Sequence, residues 1–277
     1  MFIIDIAVAS IRLQLLFLGE GLRISFVRVL QLSFIGYFFN NFLPSAVGGD
    51  VVKAYYAYNQ TKEAGKSFIA VFMDRFIGLF SFLVIAMVAL LFSWHSIDII
   101  LKKVVLFYAF ISLLVFAVII NRNVANFILK AFSGFKLWNL GERLSKTYRA
   151  VHEYRNKKPL ILMTLGISII AQFIYFLTVY VLAMSLGAEL FLKTIFLVMP
   201  IVSAVSMLPS LGGLGLRENA MVALFGSAIG NDMAFSLSIL LLGVLLVVSL
   251  LGGLIYVFAS QFKIARGDIS VLNGFGI

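Results

Sequence analysis

Apolar runs of membrane-crossing length, separated by short polar segments, repeat along the chain. A helical crossing needs roughly 20 mostly apolar residues. The pattern predicts full crossings at Phe2 to Leu18, Phe68 to Phe92, Val104 to Ile120, Leu160 to Leu186 and Phe235 to Phe258. Two further stretches, Phe26 to Tyr58 and Ile195 to Ile229, are each too long for one straight crossing. Each is interrupted by a Pro/Gly segment and reads as a helical hairpin that enters the membrane and turns back.

The two interruptions resemble each other. The first runs Leu43-Pro44-Ser45-Ala46-Val47-Gly48-Gly49-Asp50-Val51-Val52-Lys53, the second Leu208-Pro209-Ser210-Leu211-Gly212-Gly213-Leu214-Gly215-Leu216-Arg217-Glu218. Proline lacks an N–H and clashes with the preceding turn, while glycine tolerates bent backbone. Lipid cannot satisfy the backbone groups freed by such a break, so it must be buried in protein or line a cavity. Matched breaks in two halves of a membrane protein point to a transport site.

Composition sets the class. The chain is 62% hydrophobic and 12% charged, with mean hydropathy +1.08, against about 25% charged residues in soluble proteins. No alternation of the barrel type appears, so the expected fold is an all-α polytopic integral membrane protein. One transmembrane domain over 1–277 is expected: a first repeat over about 1–120, a connector over about 121–158 and a second repeat over about 159–262. The absence of cysteine excludes disulfides and thiolate chemistry. His95 and His152 lie in different connecting segments with no ligand-spaced carboxylates, so no metal or other cofactor is expected. The first apolar stretch carries Asp5 and lacks a basic leader or small-residue cleavage site, which makes it a retained helix.

Charge then orients the chain. The segment 121–158 holds nine Lys/Arg against Glu142 and Glu153, a net +7 of the chain's +10. By the positive-inside rule it is cytoplasmic. Arg23, Arg28, Lys53, Lys62, Lys66, Lys263 and Arg266 then also fall inside, whereas Lys102, Lys103 and Lys193 fall outside. On this walk the first hairpin starts and ends on the cytoplasmic side and the second on the outer side. The fold is therefore expected to be an inverted-topology repeat with two re-entrant broken-helix hairpins whose tips meet near mid-membrane. Within the connector, Phe127, Ile128, Phe132, Phe135, Trp138 and Leu144 recur at helical spacing. They suit either a membrane-surface helix or a solvated connector.

The candidate chemistry lies at the breaks. A helix restarting after Gly48-Gly49 or after Gly212-Gly213-Leu214-Gly215 would offer free N–H groups and a positive dipole end to a phosphate-like anion, with Lys53 and Arg217 adding full charge. The blander account has the glycines serving close packing and Lys53 reaching for the surface. Asp50 and Glu218 are costly at membrane depth unless paired; Asp50 also suits a helix cap, and Glu218 a gate or an ammonium contact. Asp74 and Arg75 project about 100° apart on their helix, so each needs another partner. The expected pairings are Arg75 with Asp50 or Glu218 and Asp74 with Lys53 or Arg217. Asn40 and Asn41 could donate to a headgroup or cap carbonyls.

The run from Ile35 through Asn40-Asn41 and Pro44 to Ala54, the Asp74-Arg75 pair, and Leu208-Pro209 through Arg217-Glu218 together resemble the lysylphosphatidylglycerol synthase transmembrane (flippase-like) family. The resemblance extends from about Arg12 to Phe258. Members usually carry more membrane helix before the position of Arg12, and the aminoacyl-transfer domain fused to some members is missing, so lysyl-lipid synthesis is not expected. The resemblance implies movement of a charged-headgroup lipid between leaflets: a phospholipid, an aminoacyl-phospholipid or a polyprenyl-phosphate-linked lipid. The expected protein is thus a multi-pass flippase or scramblase of the prokaryotic cytoplasmic (inner) membrane, with anionic membrane lipid as its partner and no nucleic acid. No Walker-type phosphate loop supplies a nucleotide engine. Two other readings compete. One is a non-transporting partner of an envelope glycosyltransferase or lipid synthase, docking through 121–158. The other is a lipid-modifying enzyme using Asp50 and Asp74 as acid and base.

Overall fold

The computed structural model describes residues 1–42, 48–95, 99–120, 154, 157–208 and 213–258. Among them the regular structure is entirely helical: α1 Phe2–Gly19, α2 Phe26–Phe42, α3 Gly48–Thr61, α4 Ala64–Ser93, α5 Ile99–Ile120, α6 Lys158–Ser185, α7 Leu192–Ser206, α8 Leu216–Ile229 and α9 Asn231–Phe258. Helices α1, α4, α6 and α9 are long and apolar enough to cross a bilayer, and α5 is a helix of 22 residues over the expected fifth crossing. The protein is an all-α, polytopic membrane protein.

The ends of the helices follow local chemistry. Helix α6 opens with Pro159 in its first turn, where the missing N–H has no intrahelical partner to lose. Both long apolar stretches resolve into two short helices each, α2 with α3 and α7 with α8. Helix α2 ends at Phe42, two positions before Pro44 in the sequence, and α3 begins at Gly48. The Pro/Gly segments 43–47 and 209–212, expected as hairpin corners and including Gly212, fall outside the described residues, as do the connector stretches expected to suit a membrane-surface helix or a solvated link.

Packing is organised around α1, α4 and α6. Helix α1 lies along α6, and α4 touches α1, α3, α6 and α7. The pairings come in matched sets: α2 on α3 and α7 on α8; α3 on α4 and α8 on α9; α1 on α2 and α6 on α7. Crosswise, α4 packs on α7 and α9 packs on α2. Each hairpin thus lies between its own following helix and the helix that follows the other hairpin.

The surface is apolar as well as the interior. Phe92, Phe107, Phe110, Leu162 and Phe258 are exposed, which suits acyl chains but would be a liability in water. Because lipid is as apolar as leucine, close packing and polar contacts must hold the helices together. Two close approaches provide the packing. A Cβ at Gly252 on α9 would collide with the backbone carbonyl of Phe34 on α2, and one at Gly49 on α3 with the carbonyl of Gly36 on α2. The polar contacts converge at the centre.

Candidate functional site

One face of α1 begins the site. Asp5, Ile6, Ala9 and Arg12 recur at the spacing of successive turns and all line a half-open cavity of about 260 Å³. Helices α2, α3, α4, α6, α7 and α9 and the start of α8 complete its wall. Its charged side chains are Asp5, Arg12, Asp50, Lys53, Asp74, Arg75 and Arg217.

These charges are mostly ordered into buried pairs. Arg75 Nε on α4 donates to Asp50 Oδ2 on α3 at 2.7 Å, and its Nη2 forms a second contact with the same oxygen. Lys53 Nζ, one turn along α3, donates to the other oxygen at 3.2 Å. Asp50 is therefore clamped by two cations, a charge-assisted arrangement stronger than a neutral hydrogen bond. The expected Arg75–Asp50 pairing is the one formed. Asp74 takes a different partner from either expected: Arg12 Nε on α1 donates to its Oδ1 at 2.7 Å. Arg12 Nη1 also donates to Ser168 Oγ on α6 at 2.7 Å, and Ser168 Oγ donates to Ser81 Oγ on α4 at 2.9 Å. One guanidinium thereby ties three helices together. The Asp74-Arg75 pair splits as helical geometry requires, one side chain toward α1 and the other toward α3.

At the second hairpin Arg217 is bound by its neighbour. Its Nη2 and Nε donate to Glu218 Oε1 at 2.8 and 3.2 Å. The other Glu218 oxygen accepts the N–H of Gly215 at 2.6 Å, the carboxylate half of a capping box. Gly215 itself adopts φ +80, a backbone that favours glycine. Arg217 is 3% exposed, yet it lines the cavity. Glu218 is buried with it as the cap of α8 and a counter-ion.

The asparagines act on backbone. Asn40 Oδ1 accepts the N–H of Gly49 at 2.8 Å, and Asn41 Nδ2 donates to Tyr37 O at 3.1 Å. Both line the cavity. The N–H groups of Gly49 and Gly215, expected to be open to an anion, are occupied by protein oxygens. Gly49 serves close packing of α3 on α2, the blander of its two expected roles. Gly48 lies at the start of α3 and Gly213 lines the cavity, while Gly48, Gly49, Gly215 and Glu218 are not among the lining residues. Positive charge at this cavity is carried by Arg12, Lys53, Arg75 and Arg217.

Sequence reasoning missed Asp5, Arg12, Tyr37, Ser168, Gln172 and Tyr175, of which all but Ser168 line the cavity. Phe2 packs its ring against those of Tyr37 and Tyr175, at 5.6 and 5.9 Å between centroids. A signal existed for two of them. Asp5 and Arg12 are ionisable residues inside a crossing, two turns apart on one face, and such residues mark function by default.

The chain is similar to the UPF0104 membrane protein PH1989 of Pyrococcus horikoshii, 26% identical over 285 residues that span 92% of this chain and 84% of that protein. No solved structure matches. The family described as "lysylphosphatidylglycerol synthase TM region" matches residues 1–262. Nearly the whole helical assembly around the charged cavity lies within that match, and the chain belongs to the lysylphosphatidylglycerol synthase transmembrane-region family.

Proposed function

We propose that this protein is a flippase or scramblase of the prokaryotic inner membrane, passing a lipid with a phosphate-bearing, anionic headgroup between leaflets. The observation that carries the reading is the cavity where both hairpins and α1 converge, with four basic side chains in its wall. Intramembrane charges are expensive and concentrate on substrate paths. Arginine grips phosphate oxygens through two parallel N–H bonds, and Lys53 adds a point charge. The apolar outer surface suits acyl or isoprenyl tails that stay in lipid while the headgroup crosses. The matched helix pairings support an internal repeat, and halves inverted as the basic residues orient them would let one set of helices rock against the other. The connector 121–158 and the C-terminus are assigned to the cytoplasm by their basic residues.

Both Asp50 and Asp74 are engaged by guanidinium groups, so geometry favours charge placement over acid and base duty for them. The test is leaflet exchange of fluorescent (NBD-labelled) phosphatidylglycerol in proteoliposomes, read by dithionite quenching. Wild-type protein exchanges the probe. Arg217→Ala slows exchange by at least about tenfold, corresponding to one lost charge-assisted contact of about 1.5 kcal/mol. Exchange no faster than in protein-free vesicles, or unchanged exchange by a correctly folded Arg217→Ala, overturns the reading.

A further inference from the structure

The charges around the cavity do not pair off evenly. Among the ion pairs of the described residues, Arg12 is matched by Asp74, Arg217 by Glu218, and Arg75 and Lys53 both by Asp50. Four cations thus share three carboxylates, which leaves one positive charge in excess. The fourth carboxylate, Asp5, stands apart. It lines the cavity and is only 9% exposed, with no ion pair or hydrogen bond to its carboxyl group among the described residues.

A buried carboxylate without a partner is unfavourable at membrane depth unless it is neutralised. Arg12 is the cation whose charge reaches Asp5, without forming an ion pair with it among the described residues. Arg12, on its own helix, lies two turns away, about 10 Å along the axis, and is held by Asp74 and Ser168. Helix α2 presents Tyr37 and α6 presents Tyr175, both neutral at neutral pH. Helix α3 presents Asp50 and Lys53, α4 presents Asp74 and Arg75, and α8 presents Arg217, each engaged in the pairs described above. An anionic headgroup resting on the excess positive charge would leave the Asp5 carboxylate without a balancing charge in the same cavity.

We infer that Asp5 is a proton-binding site coupled to the headgroup site: one proton enters the Asp5 carboxylate with each monoanionic phosphodiester that binds among the basic side chains. The proton comes from bulk water, forms an O–H bond on a carboxylate oxygen, and returns to water when the lipid leaves. The loaded cavity is then neutral, with four cations, three carboxylates and one phosphodiester. The empty cavity, with Asp5 ionised, is neutral as well. Lipid and proton cross together without net charge movement. This inference rests on the lipid reading of the cavity and adds the ion to which movement is coupled.

Calorimetry on the purified full chain in detergent, titrated with dioctanoyl-phosphatidylglycerol in buffers of different ionisation enthalpy, tests it. At pH values where Asp5 is ionised in the empty cavity, wild-type protein is expected to take up about one proton per lipid bound, with affinity falling roughly tenfold per pH unit, and at lower pH to take up none. Asp5→Asn is expected to bind with no proton uptake and a pH-independent affinity, while Asp5→Glu retains the uptake. Binding by wild-type protein without proton uptake at any pH, with a pH-independent affinity, overturns the coupling and leaves the lipid reading standing. The same holds if uptake is undiminished in Asp5→Asn, or if binding tracks Na+ rather than pH. No binding by wild-type protein at any pH removes the lipid reading and this inference together.

Discussion

At the residue scale, Arg12 shows how a side chain gains significance from its surroundings. In the sequence it is one basic residue in an apolar helix; in the fold it carries contacts to α4 and α6 simultaneously. Removing one partner of a buried ion pair leaves the other charged and unsolvated, which costs about 3–5 kcal/mol, whereas replacing both by apolar groups is often neutral. Arg12→Leu is therefore expected to lower the unfolding free energy by about that amount, and Arg12→Leu with Asp74→Leu to recover most of it. Equilibrium unfolding in mixed micelles reads both. A double variant as unstable as the single one would mean that the Ser168 contact, not the ion pair, dominates.

At the scale of elements, glycine separates packing from backbone conformation. Gly49 holds α3 against α2 so closely that any Cβ meets the Gly36 carbonyl and the Asn40 side chain, whereas Gly215 faces open space and needs only its positive φ. Gly215→Ala should cost about 1–3 kcal/mol of backbone strain. Gly49→Ala should cost more, because two helices must separate and the Asn40 bond to the Gly49 N–H is lost with them. Thermal denaturation followed by circular dichroism ranks the two variants, and a smaller shift for Gly49→Ala would contradict the geometry. The helices were legible in advance because hydropathy and Pro/Gly punctuation are local: each of the two long apolar stretches read as interrupted is divided into two helices, α2 with α3 and α7 with α8. The Arg75–Asp50 pair was legible for the same reason, as a buried charge demands a counter-charge and few were on offer. The role of the glycine N–H groups was not, since occupancy by Asn40 and Glu218 depends on angles that spacing does not encode.

At the scale of the molecule, the matched packing of the two helix sets carries the idea of opposed halves. The absence of native cysteine makes that idea directly accessible, because every introduced thiol reports alone. Lys62→Cys, at the end of the first hairpin, is expected to react with an impermeant maleimide only from the cytoplasmic side. Lys193→Cys, at the start of the second, should react only from the outer side. Labelling of both from one side in oriented vesicles would exclude inverted halves. Rocking of such halves would alternately expose a headgroup site ringed by Lys53, Arg75 and Arg217, and the charge balance of that site links its occupancy to Asp5.

By itself the sequence determined the membrane class, the helix spans, the interruption of both long apolar stretches and most of the charged residues that line the cavity, because lipid imposes strong local rules on length, polarity and backbone satisfaction. The tertiary structure alone decided which charges meet. Arg12 and Asp74 lie 62 residues apart, and Arg12 and Ser168 lie 156 apart; their contact depends on how α1 rests against α4 and α6. The solitary position of Asp5 has the same origin. A charge is recognised as unpaired only when every neighbour brought to it by packing is known, and no periodicity along the chain carries that information.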